Sequence, residues 1–203
     1  MASELAKSDS RPSWWKQFPN AISIARLCAC PVLLCAVLAG NRGLFRWLLV
    51  ACLLSDIADG LIARIFGLRS ALGAALDSAA DIVVSWLVVL AVCAFESAFV
   101  ASHWGLLVTV TGLYLAETGL SLRRYRRCSS FHTVLYRVAA YSEGIFVVCL
   151  FFRGYTAWLF YSMVALLILA SAEELALLLL LPEWRADVGG LYQVLCEKGA
   201  RSA

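Results

Sequence analysis

Six apolar stretches, each close to the ~20 residues a helix needs to cross a bilayer, occupy most of this 203-residue chain. They cover roughly 19–39, 44–66, 72–96, 104–122, 133–153 and 156–181. The segments between them are short: Gly40-Asn41-Arg42-Gly43, Gly67-Leu68-Arg69-Ser70, Glu96-Ser97, an arginine cluster, and Arg153-Gly154. Pro182 closes the last stretch, since proline cannot continue a helix. The expected fold is all-α and polytopic: six transmembrane helices in a bundle, with a polar cavity facing the cytoplasm. Composition excludes the main alternatives. Hydrophobic residues make up 62% and charged residues 15%, against roughly 45–50% and about 25% in soluble domains. A soluble fold would have to expose much of that apolar material. A net charge of +3 is too small to imply a polyanionic partner, so no nucleic acid is expected.

Three regions follow: a cytoplasmic or interfacial segment at 1–18, a membrane domain at 19–182 and a cytoplasmic tail at 183–203. The first segment lacks the basic run and short apolar stretch of a cleaved signal peptide, so none is expected. Trp14, Trp15 and Phe18 suit an interfacial anchor, as in a short helix lying on the membrane. In the tail, Leu191, Val194 and Leu195 recur at helical spacing and suit surface or partner packing. The eight cysteines show no CxxC and no zinc-like spacing with histidine. Most sit inside the apolar stretches and read as small buried apolar residues. Orientation follows from Lys and Arg. Lys7, Arg11, Lys16, Arg64, Arg69, Arg123, Arg124, Arg126, Arg127, Arg185, Lys198 and Arg201 fall on one side. Only Arg42, Arg46 and Arg153 fall on the other. Both termini are therefore expected in the cytoplasm.

Acidic residues inside membrane helices are costly, and a group of them signals function by default. Asp56 and Asp59 in the second stretch are spaced i, i+3, and Asp77 and Asp81 in the third are spaced i, i+4. Each pair shares a helix face. A turn at 67–70 brings the pairs to similar depth, because each residue adds about 1.5 Å of rise. Facing carboxylates repel unless cations lie among them. Oxygen ligands at this density suit hard divalent ions, Mg2+ or Mn2+, with two ions expected. Gly60 costs a helix interior about 1 kcal/mol relative to Ala, a cost that makes sense where a ligand or backbone approaches closely. Ala63 and Gly73 keep the same face shallow, and Arg64 adds a fixed positive charge suited to phosphate.

The run Asp56-x2-Asp59-Gly60-x2-Ala63-Arg64-x8-Gly73-x3-Asp77-x3-Asp81 resembles the signature of the CDP-alcohol phosphotransferase (CDP-alcohol phosphatidyltransferase) family at all eight specified positions. The resemblance implies a six-helix membrane core. It also implies transfer of a phosphatidyl or other phospho group from a CDP-linked donor to an alcohol, with release of CMP. Asp56, Asp59 and Asp77 match the metal positions, with Asp77 placed to bridge two ions. Asp81 matches the last aspartate, a metal ligand or the base that deprotonates the acceptor. Asp56, Gly60, Ala63, Arg64 and Gly73 match positions around the CDP moiety. A second resemblance lies in Pro19-Asn20-x2-Ser23-x2-Arg26-x4-Pro31, which is similar to an opening found in many bacterial members, with Ser23 where Thr is usual. Asn20, Ser23 and Arg26 share a broad helix face and suit the cytidine or its phosphates. Read alone, they would be an N-cap and a snorkelling arginine at the membrane edge.

Other basic residues are candidates for acceptor phosphate: Arg69, Arg123, Arg124 and Arg137. Arg126 and Arg127 extend the same cluster, which also satisfies positive-inside topology. His132 and Thr133 open the fifth stretch as interface residues. Glu117, Glu143, Glu173 and Glu174 fall in or near the stretches with no specific role. The acceptor is open. Asp77-Ser78-Ala79-Ala80-Asp81-Ile82 lacks the Pro and Lys common in phosphatidylglycerophosphate synthases. It is nearer to phosphatidylserine synthases, yet their following Ser-Phe-Gly is absent. The abundance of cytoplasmic arginines favours glycerol 3-phosphate over serine, inositol, inositol phosphate or phosphatidylglycerol. CDP-diacylglycerol is the expected donor and a bacterial cell membrane the expected location. A homodimer is consistent with the resemblance. The rival reading is a small cation transporter or metal-binding membrane protein. It leaves Gly60, Ala63, Gly73 and above all Arg64 without a purpose.

Overall fold

The computed structural model describes residues 18–66, 71–125, 133–180 and 191. All its regular structure is helical. The order is α1 (Phe18–Leu38), α2 (Arg42–Phe66), α3 (Ala71–Phe95), α4 (Ser97–Tyr125), α5 (Val134–Arg153) and α6 (Ala157–Leu180). These match the expected stretches within a residue or two, except that α4 starts seven residues early and ends three residues late. Ser97 through His103 extend that helix, and Glu96 alone separates it from α3. Five of the helices are long and apolar enough to cross a membrane. The exception is α2, whose apolar run is interrupted by Arg46, Asp56, Asp59 and Arg64. The fold is that of an all-α polytopic membrane protein.

The chain divides into two compact units, 1–95 and 96–203. In the first, α1 packs against both α2 and α3. Leu33, Phe45, Leu49, Ala80 and Ala91 form its buried centre, and the Phe45 and Phe95 rings stand 6.0 Å apart. Cys30, Ala36, Cys52, Ala80 and Ala91 are small and buried, and small residues let helix backbones approach closely. In the second unit, α6 packs against both α4 and α5. Its core runs through Phe146, Leu150, Phe151, Phe160, Leu177 and Leu178.

The exposed surface is inverted relative to a soluble protein. Leu38, Ile65, Trp86, Trp104, Val108, Trp158 and Leu179 are all largely exposed, as expected of side chains that face lipid. The cysteines divide accordingly. Cys30 and Cys52 are buried, while Cys28, Cys35 and Cys93 lie on exposed faces. Among the described cysteines the reading as buried residues therefore holds for Cys30 and Cys52, with Cys149 half-buried.

The join between α1 and α2 explains how two long helices reverse in so few residues. Gly40 takes a φ of +67°, where only glycine is unstrained. Its N–H donates to the Val37 carbonyl at 3.0 Å, and the Asn41 N–H donates to that of Ala36 at 2.8 Å. This is the Schellman closure of α1. Asn41 then caps α2, its Oδ1 accepting from the Leu44 N–H at 3.0 Å. In the second unit, Thr133 caps α5 through the Tyr136 N–H at 3.2 Å, and Gly154 (φ +89°) ends it.

Candidate active site

The site lies in the first unit. Asp56 on α2 and Asp77 and Asp81 on α3 each offer a carboxylate oxygen, and the three oxygens lie within 4.8 Å of one another. Helical spacing puts Asp77 and Asp81 on one face of α3, as the sequence predicted. The packing of α1 against both other helices then draws Asp56 to them. All three carboxylate side chains are between 41% and 53% exposed. The cluster is therefore open on one side.

Its other side is closed by Arg26 of α1, whose side chain is 1% exposed. A single nitrogen, Nη1, stands 2.9 Å from Asp56 Oδ1, 3.2 Å from Asp77 Oδ1 and 2.8 Å from Asp81 Oδ1. The sequence assigned Arg26 to the nucleotide and did not anticipate this contact. A signal for it existed: a guanidinium buried in a span needs an anion, and the acidic groups nearest in depth are these. One guanidinium among three carboxylates leaves an excess of negative charge.

That donor set fits a hard divalent ion. The ligands are all carboxylate oxygen, the excess charge is negative, and the open side admits water and substrate. Opposite ligands of Mg2+ stand about 4.2 Å apart, twice its bond length of about 2.1 Å. Asp56, Asp77 and Asp81 are the residues that would hold such an ion.

Other expected site residues fall as follows. Ser23 is buried on α1, one turn before Arg26. Gly60 lies one turn beyond Asp56 and Gly73 one turn before Asp77, both half-buried. Arg123 and Arg124 occupy the exposed last turn of α4, and Arg137 is exposed near the start of α5. These three belong to the second unit. The side chains of Asn20, Asp59, Ala63 and Arg64 lie outside the described residues, as do Arg69, Arg126, Arg127 and His132 entirely. The N-terminal segment through residue 17 and almost all of the tail also lie outside them.

The second unit holds a buried polar set that sequence reasoning left without a role. Glu117 is 4% exposed and Glu174 is 3% exposed, with Ser121, Thr133 and Ser171 buried as well. The Ser171 hydroxyl donates to the Glu117 carboxylate. Interhelical bonds of this kind tie α4 to α6 inside lipid. Glu173 Oε1 accepts from the Leu191 N–H at 2.9 Å, which joins the tail to α6. An aromatic knot of Phe99, His103, Phe146, Tyr155 and Phe160 lies elsewhere in this unit. His103 Nδ1 is 3.1 Å from the Phe99 carbonyl, which can only accept, so that nitrogen carries the proton. Nε2 then accepts from the Tyr155 hydroxyl at 3.1 Å.

Fold and site together define an integral membrane protein with carboxylates clustered within one helical unit. The model of the CDP-alcohol phosphatidyltransferase family matches residues 16–182. The chain belongs to that family, and it is a transferase that moves a phosphatidyl group from a CDP-linked donor to an acceptor. No curated protein and no solved structure matches the chain.

Proposed function

We propose that this enzyme transfers the phosphatidyl group of CDP-diacylglycerol to the hydroxyl of a small polar alcohol, glycerol 3-phosphate before the other candidates, and releases CMP. The observation that carries this reading is the convergence of Asp56, Asp77 and Asp81 oxygens within 4.8 Å, in a chain matched by the family over residues 16–182. Asp56, Asp77 and Asp81 would hold Mg2+ or Mn2+, with Asp59 as the expected further ligand. Such an ion, when bound, neutralises the pyrophosphate and stabilises the charge of an in-line displacement.

The chain's own residues supply the rest. Asp81 is the most exposed of the three carboxylates at 53%, which suits a base that must reach an incoming hydroxyl. It takes the hydroxyl proton as the acceptor oxygen bonds to the β-phosphorus. The bond from that phosphorus to the bridging oxygen breaks, and the electron pair leaves with CMP. Asn20, Ser23, Gly60, Ala63, Arg64 and Gly73 line the nucleotide, with the glycines and Ala63 allowing close approach. The sequence offers Arg69, Arg123, Arg124 and Arg137 as guanidinium forks suited to an acceptor phosphate. The excess of Lys and Arg puts both termini and this chemistry on the cytoplasmic side.

CMP release by membranes given CDP-diacylglycerol and a panel of acceptors tests the reading. Glycerol 3-phosphate should give the highest rate. A higher rate with serine, inositol, inositol phosphate or phosphatidylglycerol reassigns the acceptor. Turnover with none of them rejects phosphatidyl transfer to a small alcohol.

A further inference from the structure

The environment of Arg26 holds an imbalance that the reaction described above does not use. Its Nη1 carries two N–H groups, yet three carboxylate oxygens lie within 3.2 Å of it. Among the described residues its other donors, Nε and Nη2, are buried with no hydrogen-bond partner. Buried N–H groups of a charged side chain are costly to leave unmet. The arginine is therefore well paired at one nitrogen and poorly paired at the other two. Beside it lies an open, apolar groove between α1 and α2, lined by Ala21, Ala25, Ala29 and Ala51.

We propose that Arg26 is a displaceable counter-ion. Its Nη1 occupies the place among Asp56, Asp77 and Asp81 that a divalent cation takes in the working enzyme, and the two compete for the same oxygens. This rests on the metal-dependent reading given above and adds the residue that holds the site together before loading. Without a metal, Arg26 offsets the repulsion of three convergent carboxylates and keeps α2 and α3 in register on α1. With a metal, guanidinium and ion repel each other at close range. Arg26 then yields the oxygens to the ion.

The test uses the full chain in detergent micelles without nucleotide. Mn2+ affinity is measured by electron paramagnetic resonance, and thermal unfolding is measured in EDTA and in saturating Mn2+. Arg26→Met should bind Mn2+ at least tenfold more tightly than the natural chain. It should unfold at a lower temperature in EDTA and recover in saturating Mn2+. Arg26→Lys, which keeps the charge, should stay near the natural chain in both measurements. A purely structural arginine predicts the opposite sign: Mn2+ binding in Arg26→Met equal or weaker, with the stability deficit unchanged by the ion. If Arg26→Met folds only with Mn2+ present, titrating the ion out with a chelator of known affinity gives the same comparison. Failure to fold even in Mn2+ overturns the proposal. Equal affinities overturn it while leaving the metal-dependent reading intact. Absence of Mn2+ binding in both chains removes that reading and this inference with it.

Discussion

A buried guanidinium surrounded by carboxylates is the residue-scale fact from which the chemistry follows. Arg26 is 1% exposed at its side chain, while Asp56, Asp77 and Asp81 keep between 41% and 53% of theirs open. The anions therefore face the open side and the cation faces the protein. On the proposed assignment Asp81 is the group that takes the proton of the acceptor hydroxyl. Asp81→Asn keeps the shape and removes the base. Its turnover should fall by roughly 10²–10⁴, the usual contribution of a positioned base. Binding of the CDP-lipid should survive, because Asp56 and Asp77 keep their carboxylates and the amide oxygen left at position 81 can still ligate an ion. Initial rates of CMP release and equilibrium binding of the lipid, measured on one preparation, check both halves. Full activity in the variant would remove Asp81 from the base role.

At the scale of elements, the helices are set by local rules and their partners by tertiary ones. The Gly40–Asn41 join is local: a positive φ that closes α1 and a side-chain cap that opens α2. Asn41→Ala should cost about 1 kcal/mol through loss of the cap. Gly40→Ala should cost about 1–2 kcal/mol, because a β-carbon is strained at that φ. Thermal unfolding in micelles should show both losses, each with little change in the Mn2+ affinity of the folded protein. Local spacing also made the aspartate pair of α3 readable in the sequence, since i, i+4 on a helix leaves no choice of face. The contact of Arg26 with them could not be read that way. It depends on α1 packing against both α2 and α3, and sequence spacing within α1 is equally compatible with an arginine aimed at a nucleotide. The early start of α4 has a local cause instead. Ser97 and Ser102 look like loop residues, yet Ser102 turns its hydroxyl to the Ala98 carbonyl at 2.8 Å, so the helix absorbs it.

For the whole molecule, apolar patterning announced the membrane and the aspartate signature announced the family, which the match over residues 16–182 bears out. Charge interrupts the apolar run of α2, and this helix contributes Asp56 to the cluster. The buried set of Glu117, Ser171 and Glu174 was not legible, because which helices of the second unit pair is a property of packing rather than of spacing. The central claim is that the carboxylates of α2 and α3 hold divalent cations against a nucleotide diphosphate. Thermal unfolding of the purified protein with CDP, in Mn2+ and in EDTA, tests it most directly. In Mn2+, CDP at about 100 times its dissociation constant should add about 2.7 kcal/mol of stability. That gain should vanish in EDTA and in Asp56→Asn/Asp77→Asn. An equal gain in EDTA, or in the double variant, would contradict the account.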